Sequence, residues 1–289
     1  MHDSHAHLTQ QPLKDRAVDH IKEFRDNGGK YILNASFNVE SVNEVIEQSI
    51  QFENIFPNTV LTAIGFHPID VSLYQGSNKR KKLNCDLEYL TEVLKNHRKR
   101  IACIGESGLD YHYIANIGSD EKEEVMEMQK LSFKKHCELA LKENLPMTIH
   151  CRDDQGSNNA TMDALKILCD IGQGRIRGCF HSFTGTKEGL KEVLDNGFFI
   201  GFNGIITYPK AENVKDLLFD TPINRVLIET DCPDLPPQKL RSNKKAEIKY
   251  CTPRNVDEIY EKVSEVKEIK LEKLIEETNK NFESLFLSN

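Results

Sequence analysis

Eight short runs rich in β-branched and apolar residues recur along the chain, and longer amphipathic stretches separate them. This alternation constrains the fold most, because parallel strands need a crossover between them and the usual crossover is a helix. The strand-like runs lie at about 2–5, 30–35, 60–66, 101–106, 146–151, 176–181, 197–202 and 225–230. Helical patterns lie near 12–28, 39–52, 86–97, 120–143, 160–171, 187–195 and 211–218. In the clearest of these, about 120–143, Met126, Leu131, Phe133, Leu139 and Leu141 punctuate a charged surface. Eight strands with helices between them imply an α/β fold, a single TIM-type (β/α)8 barrel. Two extra C-terminal helices follow at about 253–266 and 270–286, with Leu285-Phe286 packing back on the barrel. The chain of 289 residues suits one barrel of about 250 residues plus this tail, so 1–289 reads as one domain.

Composition narrows the partners. The net charge of −7 rules out a global positive field, so nucleic acid would have to be met by local basic patches and metal ions. No apolar run reaches the roughly 18 residues of a membrane span, and Met1-His2-Asp3-Ser4-His5 lacks the pattern of a signal peptide. The eight cysteines sit singly in apolar runs with no Cys-x-x-Cys pair, as buried, reduced thiols do. A cytoplasmic or nuclear protein with no membrane contact and no obligate protein partner is expected.

Five of the strand-like runs end in residues that bind divalent metals. They are His5 and His7 in Asp3-Ser4-His5-Ala6-His7, Glu106, His150, His181 and Asp231. On a closed barrel the strand ends share one mouth, where active sites lie. Alternate strand residues point the same way, so His5 and His7 can both face the axis, and Asp3 can orient a ligand through a hydrogen bond. Glu106 has two oxygens and can bridge two cations, as metal-assisted hydrolysis requires. Gly105 and Gly108 beside it allow close backbone approach. Cys151 and Cys232 neighbour ligand positions but point to the other face.

Taken in order, these motifs resemble those of TatD-related deoxyribonucleases, metal-dependent hydrolases of the amidohydrolase type. The likeness runs through Asp3-Ser4-His5-Ala6-His7-Leu8, Gly65-Phe66-His67-Pro68, Gly105-Glu106-Ser107-Gly108-Leu109-Asp110-Tyr111, His150-Cys151-Arg152, Phe180-His181-Ser182-Phe183-Thr184-Gly185 and Glu229-Thr230-Asp231-Cys232-Pro233, and ends in a closing helix at Asn281 to Phe286. The resemblance implies one metal held by His5, His7, Glu106 and Asp231, and a second held by Glu106, His150 and His181. Ser107 and Ser182 depart from the family's common residues without touching a ligand. The stretch 74–85, with Lys79-Arg80-Lys81-Lys82, is longer than usual and has no assigned role.

The expected reaction is hydrolysis of DNA phosphodiesters with two divalent ions (Mg2+, Mn2+ or Zn2+) as cofactors. The resemblance implies a 3′–5′ exonuclease on single-stranded or frayed ends. Asp231 would take a proton from the attacking water, and His67 would contact phosphate or protonate the leaving oxygen. Arg152 would clamp phosphate with its planar fork, Asp110 would support a ligand, and Tyr111 would stack on a base. The basic loop 239–245 is more simply a solvated surface than a phosphate contact. The alternative is a metal-dependent hydrolase of small phosphoesters, amides or lactones, since one barrel supports many reactions.

Overall fold

The computed structural model describes residues 1–288, apart from the side chains of Ser119 and Asp120. One parallel sheet runs in the order β1 (His2–Ala6), β2 (Tyr31–Ala35), β3 (Val60–Ile64), β4 (Ile101–Asp110), β5 (Met147–Arg152), β6 (Gly178–His181), β7 (Phe199–Phe202) and β8 (Val226–Ile228). The sheet curls until its edges meet: His7 N–H donates to the Cys232 carbonyl at 2.8 Å, and Asp231 N–H donates to the His5 carbonyl at 2.9 Å. This is the expected TIM-type barrel.

The crossovers include α1 (Ala17–Asp26), α2 (Val39–Ile55), the short α3 (Pro68–Ser72), α4 (Lys79–His97), the short α5 (Tyr111–Ala115), α6 (Ser119–Glu143), α7 (Asn159–Gly172), α8 (Lys187–Asp195) and α9 (Glu212–Asp220). After β8 come α10 (Gln238–Ser242), α11 (Val256–Lys267) and α12 (Leu271–Phe286). Among the described residues, no helix is long and apolar enough to cross a membrane.

Each strand is buried on both faces, as parallel sheets are. Ile32, Ile64, Ile149 and Phe180 pack outward in the continuous core that the helices share, whereas Leu33, Ala63, Cys103 and Leu227 point inward. Phe282, Leu285 and Phe286 of α12 join that inner cluster and close one end of the barrel, so the final helix packs back as its sequence suggests.

Two helices differ from expectation. The first was expected over 12–28, but a turn at Pro12 and a 3-10 turn at Lys14–Arg16 delay it to Ala17. The fourth begins at Lys79 rather than near 86. Positive charge in a first turn opposes the helix dipole, and Asn78 gives no side-chain cap, so the sequence signals at that end point away from a helix. Leu83, Leu87, Leu90 and Leu94 are buried at helical spacing and outweigh them.

All eight cysteines are free thiols; Cys85 and Cys169 are exposed on α4 and α7, contrary to the expectation that all are buried. An amphipathic helix has an outer face, and those two positions fall on it.

Candidate metal centre and active site

Backbone register aims the functional side chains. On β5 and β6 simple alternation suffices, and His150 and His181 turn toward the axis; His5 and His7, two residues apart, join them although the register of β1 shifts by one residue between Asp3 and Ala6. Strand β4 breaks the rule. Ile104 pairs with Met147 but Ser107 pairs with Ile149, so β4 carries one extra residue. Such a bulge re-aims the side chains beyond it. Cys103 faces inward, so unbroken alternation would turn Gly105 and Ser107 inward and Glu106 out. The extra residue brings Glu106 in. Glycine permits it: a Cβ on Gly105 would lie 2.4 Å from the Thr148 carbonyl oxygen, and one on Gly108 would lie 1.8 Å from that of His150.

Glu106 is buried at the centre and its two oxygens face two different groups. Oε2 lies 3.2 Å from His5 Nε2 and 3.2 Å from His7 Nε2, with Asp231 Oδ1 3.9 and 3.6 Å from the same two nitrogens. Oε1 lies 2.6 Å from His181 Nε2, 2.9 Å from His150 Nδ1 and 3.3 Å from His67 Nε2. The ligand-type atoms form three close groups, His5-His7-Glu106, His5-His181-Asp231 and His67-Glu106-His150. All six metal-ligand candidates therefore meet, and His67, expected only as a substrate or proton-transfer group, stands among them.

The donor set fits cations. The Ala35 carbonyl can only accept, so the His7 Nδ1 that it meets at 3.0 Å must carry hydrogen. In neutral His7 the opposite nitrogen then aims a lone pair at a carboxylate oxygen, and at His5 Nε2 3.2 Å away. Lone pairs facing one another need a positive charge between them, either protons or metal ions. The ionisation pattern says the same. Burial opposes a charge on His7, but Glu106 and Asp231 outweigh it and lift the ring to about 9. His181 is likewise raised despite burial, chiefly by Glu106. Burial and the neighbouring His181 hold His5 well below its ordinary value. Burial would raise Glu106, but His181, His67 and His5 hold its carboxyl well below the usual range. Burial lifts Asp231 to about 7 against the pull of His181 and His7.

Polar side chains stand behind the rings. Thr148 Oγ1 lies 2.9 Å from His5 Nδ1, and Asp110 Oδ2 lies 3.0 Å from His150 Nε2, the supporting role expected of Asp110. Glu229 is fully buried and sits 3.5 Å from His181 Nδ1, which has no hydrogen-bond partner among the described residues. Sequence reading passed over Glu229 and Thr148. Their signal was present: each lies two residues before a candidate ligand, hence on the same face. Asp3, expected to orient a ligand through a hydrogen bond, accepts from the backbone N–H of His5 at 3.3 Å, and also from Thr230 N–H at 2.9 Å and Thr230 Oγ1 at 2.6 Å. It pins β1 to the end of β8.

The groups line a cavity of ≈ 650 Å³ at the barrel mouth. Asp70, Glu106, Asp110, Asp231 and Asp234 contribute carboxylates, whereas Arg152 is the one Lys or Arg in the lining among the described residues. Arg152 is exposed and has no carboxylate within 4.0 Å among the described residues. Tyr111 is not brought to the cavity. The chain turns into α5 at that point, the ring is buried, and its hydroxyl donates to Asp163 at 2.6 Å.

A family model described as "TatD related DNase" matches residues 2–287. The chain is 30% identical over 289 residues to an uncharacterized metal-dependent hydrolase, YabD, of Bacillus subtilis, covering 99% of each chain. It is 33% identical over 298 residues to another from Buchnera aphidicola, covering 98% of each. Among solved structures it is similar to a TatD-family hydrolase from Entamoeba histolytica, with TM-score 0.82 and 21% identity over 100% of this chain and 98% of the other. The TatD homologue YJJV of Escherichia coli superposes with TM-score 0.78 and 20% identity over 100% and 98%.

Proposed function

Because the chain belongs to the TatD-related DNase family of metal-dependent hydrolases, we propose that it is a deoxyribonuclease that hydrolyses DNA phosphodiesters and trims single-stranded or frayed 3′ ends. The observation that carries this reading is the division of Glu106, one oxygen toward His5 and His7 and the other toward His150 and His181.

His5, His7 and Asp231 would hold one divalent ion, and His150 and His181 a second, with Glu106 between them. When bound, such ions acidify water and neutralise phosphate oxygens. The carboxylate-rich lining supports the need for them, because it would otherwise repel a phosphodiester. Asp231, whose side chain is 15% exposed at the cavity, takes the proton of the attacking water. Arg152 clamps the two non-bridging oxygens through two parallel hydrogen bonds. His67 donates to the departing oxygen, or adds a nitrogen to the second ion group. Asp110 and Glu229 keep His150 and His181 turned to their task.

A hydrolase of small phosphoesters, amides or lactones is the second reading, favoured by a cavity of ≈ 650 Å³, within the roughly 300–1,000 Å³ of small-molecule sites. One experiment separates the two: a time course on end-labelled DNA with Mg2+, Mn2+ or Zn2+, beside a generic phosphodiester and a lactone. The expected result is stepwise shortening from the 3′ end, abolished by EDTA and restored by divalent metal. Glu106→Ala and Asp231→Asn should be folded and inactive. Chelator-resistant cleavage, or full turnover by either variant, overturns the proposal.

A further inference from the structure

A second cavity opens beside the first. It measures ≈ 280 Å³, and the Asp70 side chain lines both. Its other walls include Leu73 and Tyr74 at the end of α3, Lys82 and Asp86 in the first turns of α4, and Asn38 and Glu40 at the start of α2. None of these residues belongs to the metal-ligand set or its supports.

Three observations set it apart from an ordinary surface hollow. Apolar surface is left open, with Leu73 57% exposed beside the Tyr74 ring. The Lys82 ammonium lies 5.3 Å from the Tyr74 ring centroid and has no carboxylate within 4.0 Å among the described residues, although Asp86 follows one turn later. Asp86 accepts the Tyr74 hydroxyl at 2.5 Å instead. Finally, Lys79-Arg80-Lys81-Lys82 gathers positive charge at a helix N-terminus, where the dipole opposes it, and of the four only Lys79 has a carboxylate partner among the described residues, Glu124 at 2.8 Å. Three of its four charges thus stand without a carboxylate partner among the described residues, and one of them, Lys82, lines the cleft.

We infer that this second cavity is a base subsite: it receives the nucleobase of a nucleotide next to the scissile phosphate and prefers bases that carry an exocyclic amine. The inference rests on the nuclease reading above. An aromatic ring beside an exposed aliphatic side chain suits a flat heterocycle, because every base has a π-face. Lys82 covers Tyr74 only through an exposed cation–π contact, the weaker kind. Its flexible stem can carry the ammonium to a strand phosphate and leave the ring to the base. Around the edge, Glu40, Asp70 and Asp86 bring carboxylate oxygens. They match the amines of cytosine, adenine and guanine, and thymine has none. The volume, just below the roughly 300 Å³ where small-molecule sites begin, holds one base rather than a strand.

The test steps a single cytosine or a single abasic site through thymine oligonucleotides, using metal-loaded enzyme. Wild type is compared with Leu73→Ala, Lys82→Ala and Tyr74→Ala, with bis(p-nitrophenyl) phosphate as a substrate that has no base. Wild type should show, at one position, kcat/KM about tenfold higher for cytosine than for the abasic site. The advantage should shrink to under about twofold in Leu73→Ala and Tyr74→Ala, with turnover of the small diester unchanged in all three variants. Leu73 is exposed, so its replacement keeps the test valid if Tyr74→Ala misfolds. A scan without a base effect, or with one equal in wild type and variants, removes the subsite and leaves the nuclease standing. Turnover of the small diester with no cleavage of any oligonucleotide overturns the nuclease reading and this inference together.

Discussion

His136 on α6 provides a measurable link between a buried ring and the placement of the site. It is fully buried, and both its nitrogens are committed. Nδ1 donates to the Ser132 carbonyl at 2.7 Å, and Nε2 accepts the Phe66 N–H at 3.1 Å. A second proton would set one N–H against another. Burial lowers the ring from 6.5 to about 4, despite the Ser132 bond that favours charge. Between those values the unfolded chain takes a proton that the folded protein refuses. The contribution of His136 is therefore complete above pH 6.5 and declines as pH falls toward 4. The loss is about 2 kcal/mol at pH 5 and about 3 kcal/mol once pH is below 4.

His136→Gln isolates this effect, because an amide can donate to Ser132 and accept from Phe66 without titrating. Urea unfolding at pH 7 should find the variant less stable by about 1–2 kcal/mol. At pH 5 the gap should close or reverse, since only wild type loses the additional 2 kcal/mol or so. Stability curves that stay parallel between the two pH values would refute the assignment of a neutral, doubly bonded ring. The consequence reaches the cleft, because the residue after Phe66 is His67, 3.3 Å from Glu106.

Glu229→Gln should weaken divalent-metal affinity about 10–100-fold, read by titration calorimetry; unchanged affinity would mean that Glu229 does not orient His181. Gly108→Ala should cost more than about 4 kcal/mol or prevent folding, because the new Cβ would fall 1.8 Å from the His150 carbonyl oxygen, and a melting curve close to wild type would deny that close approach. Phe282→Ala should cost about 3–5 kcal/mol by emptying the plugged end of the barrel, while metal affinity at the opposite mouth stays near wild type. A similar loss of both would show that the plug and the site are coupled.

The barrel was legible because two periodicities agree: strands that are apolar on both faces, and helices whose leucines return every third or fourth residue. Most of the ligand set was legible for a related reason, since His150 and His181 obey plain alternation and His5 and His7 stand two residues apart at the end of β1. What escaped depends on local departures from regular geometry or on partners distant in sequence. The basic run 79–82 carries the end signals of a loop, yet four buried leucines downstream draw it into α4. Tyr111 sits in an aromatic cluster that suggests stacking, yet the turn into α5 sends its hydroxyl to Asp163, fifty-two residues on.

Glu106 is the instructive case. Alternation counted from Cys103 turns it away from the axis, and only the extra residue in β4 brings it back. Gly105 and Gly108 mark that departure, because no side chain fits where β4 closes on β5. The two glycines therefore do as much to build the proposed bimetallic site as the ligands do: with a side chain at either, β4 must move away from β5 and Glu106 can no longer face both histidine groups. This separates two ways of losing activity. Replacing a ligand should leave a stable, inactive barrel, whereas replacing either glycine should lower stability and metal binding together.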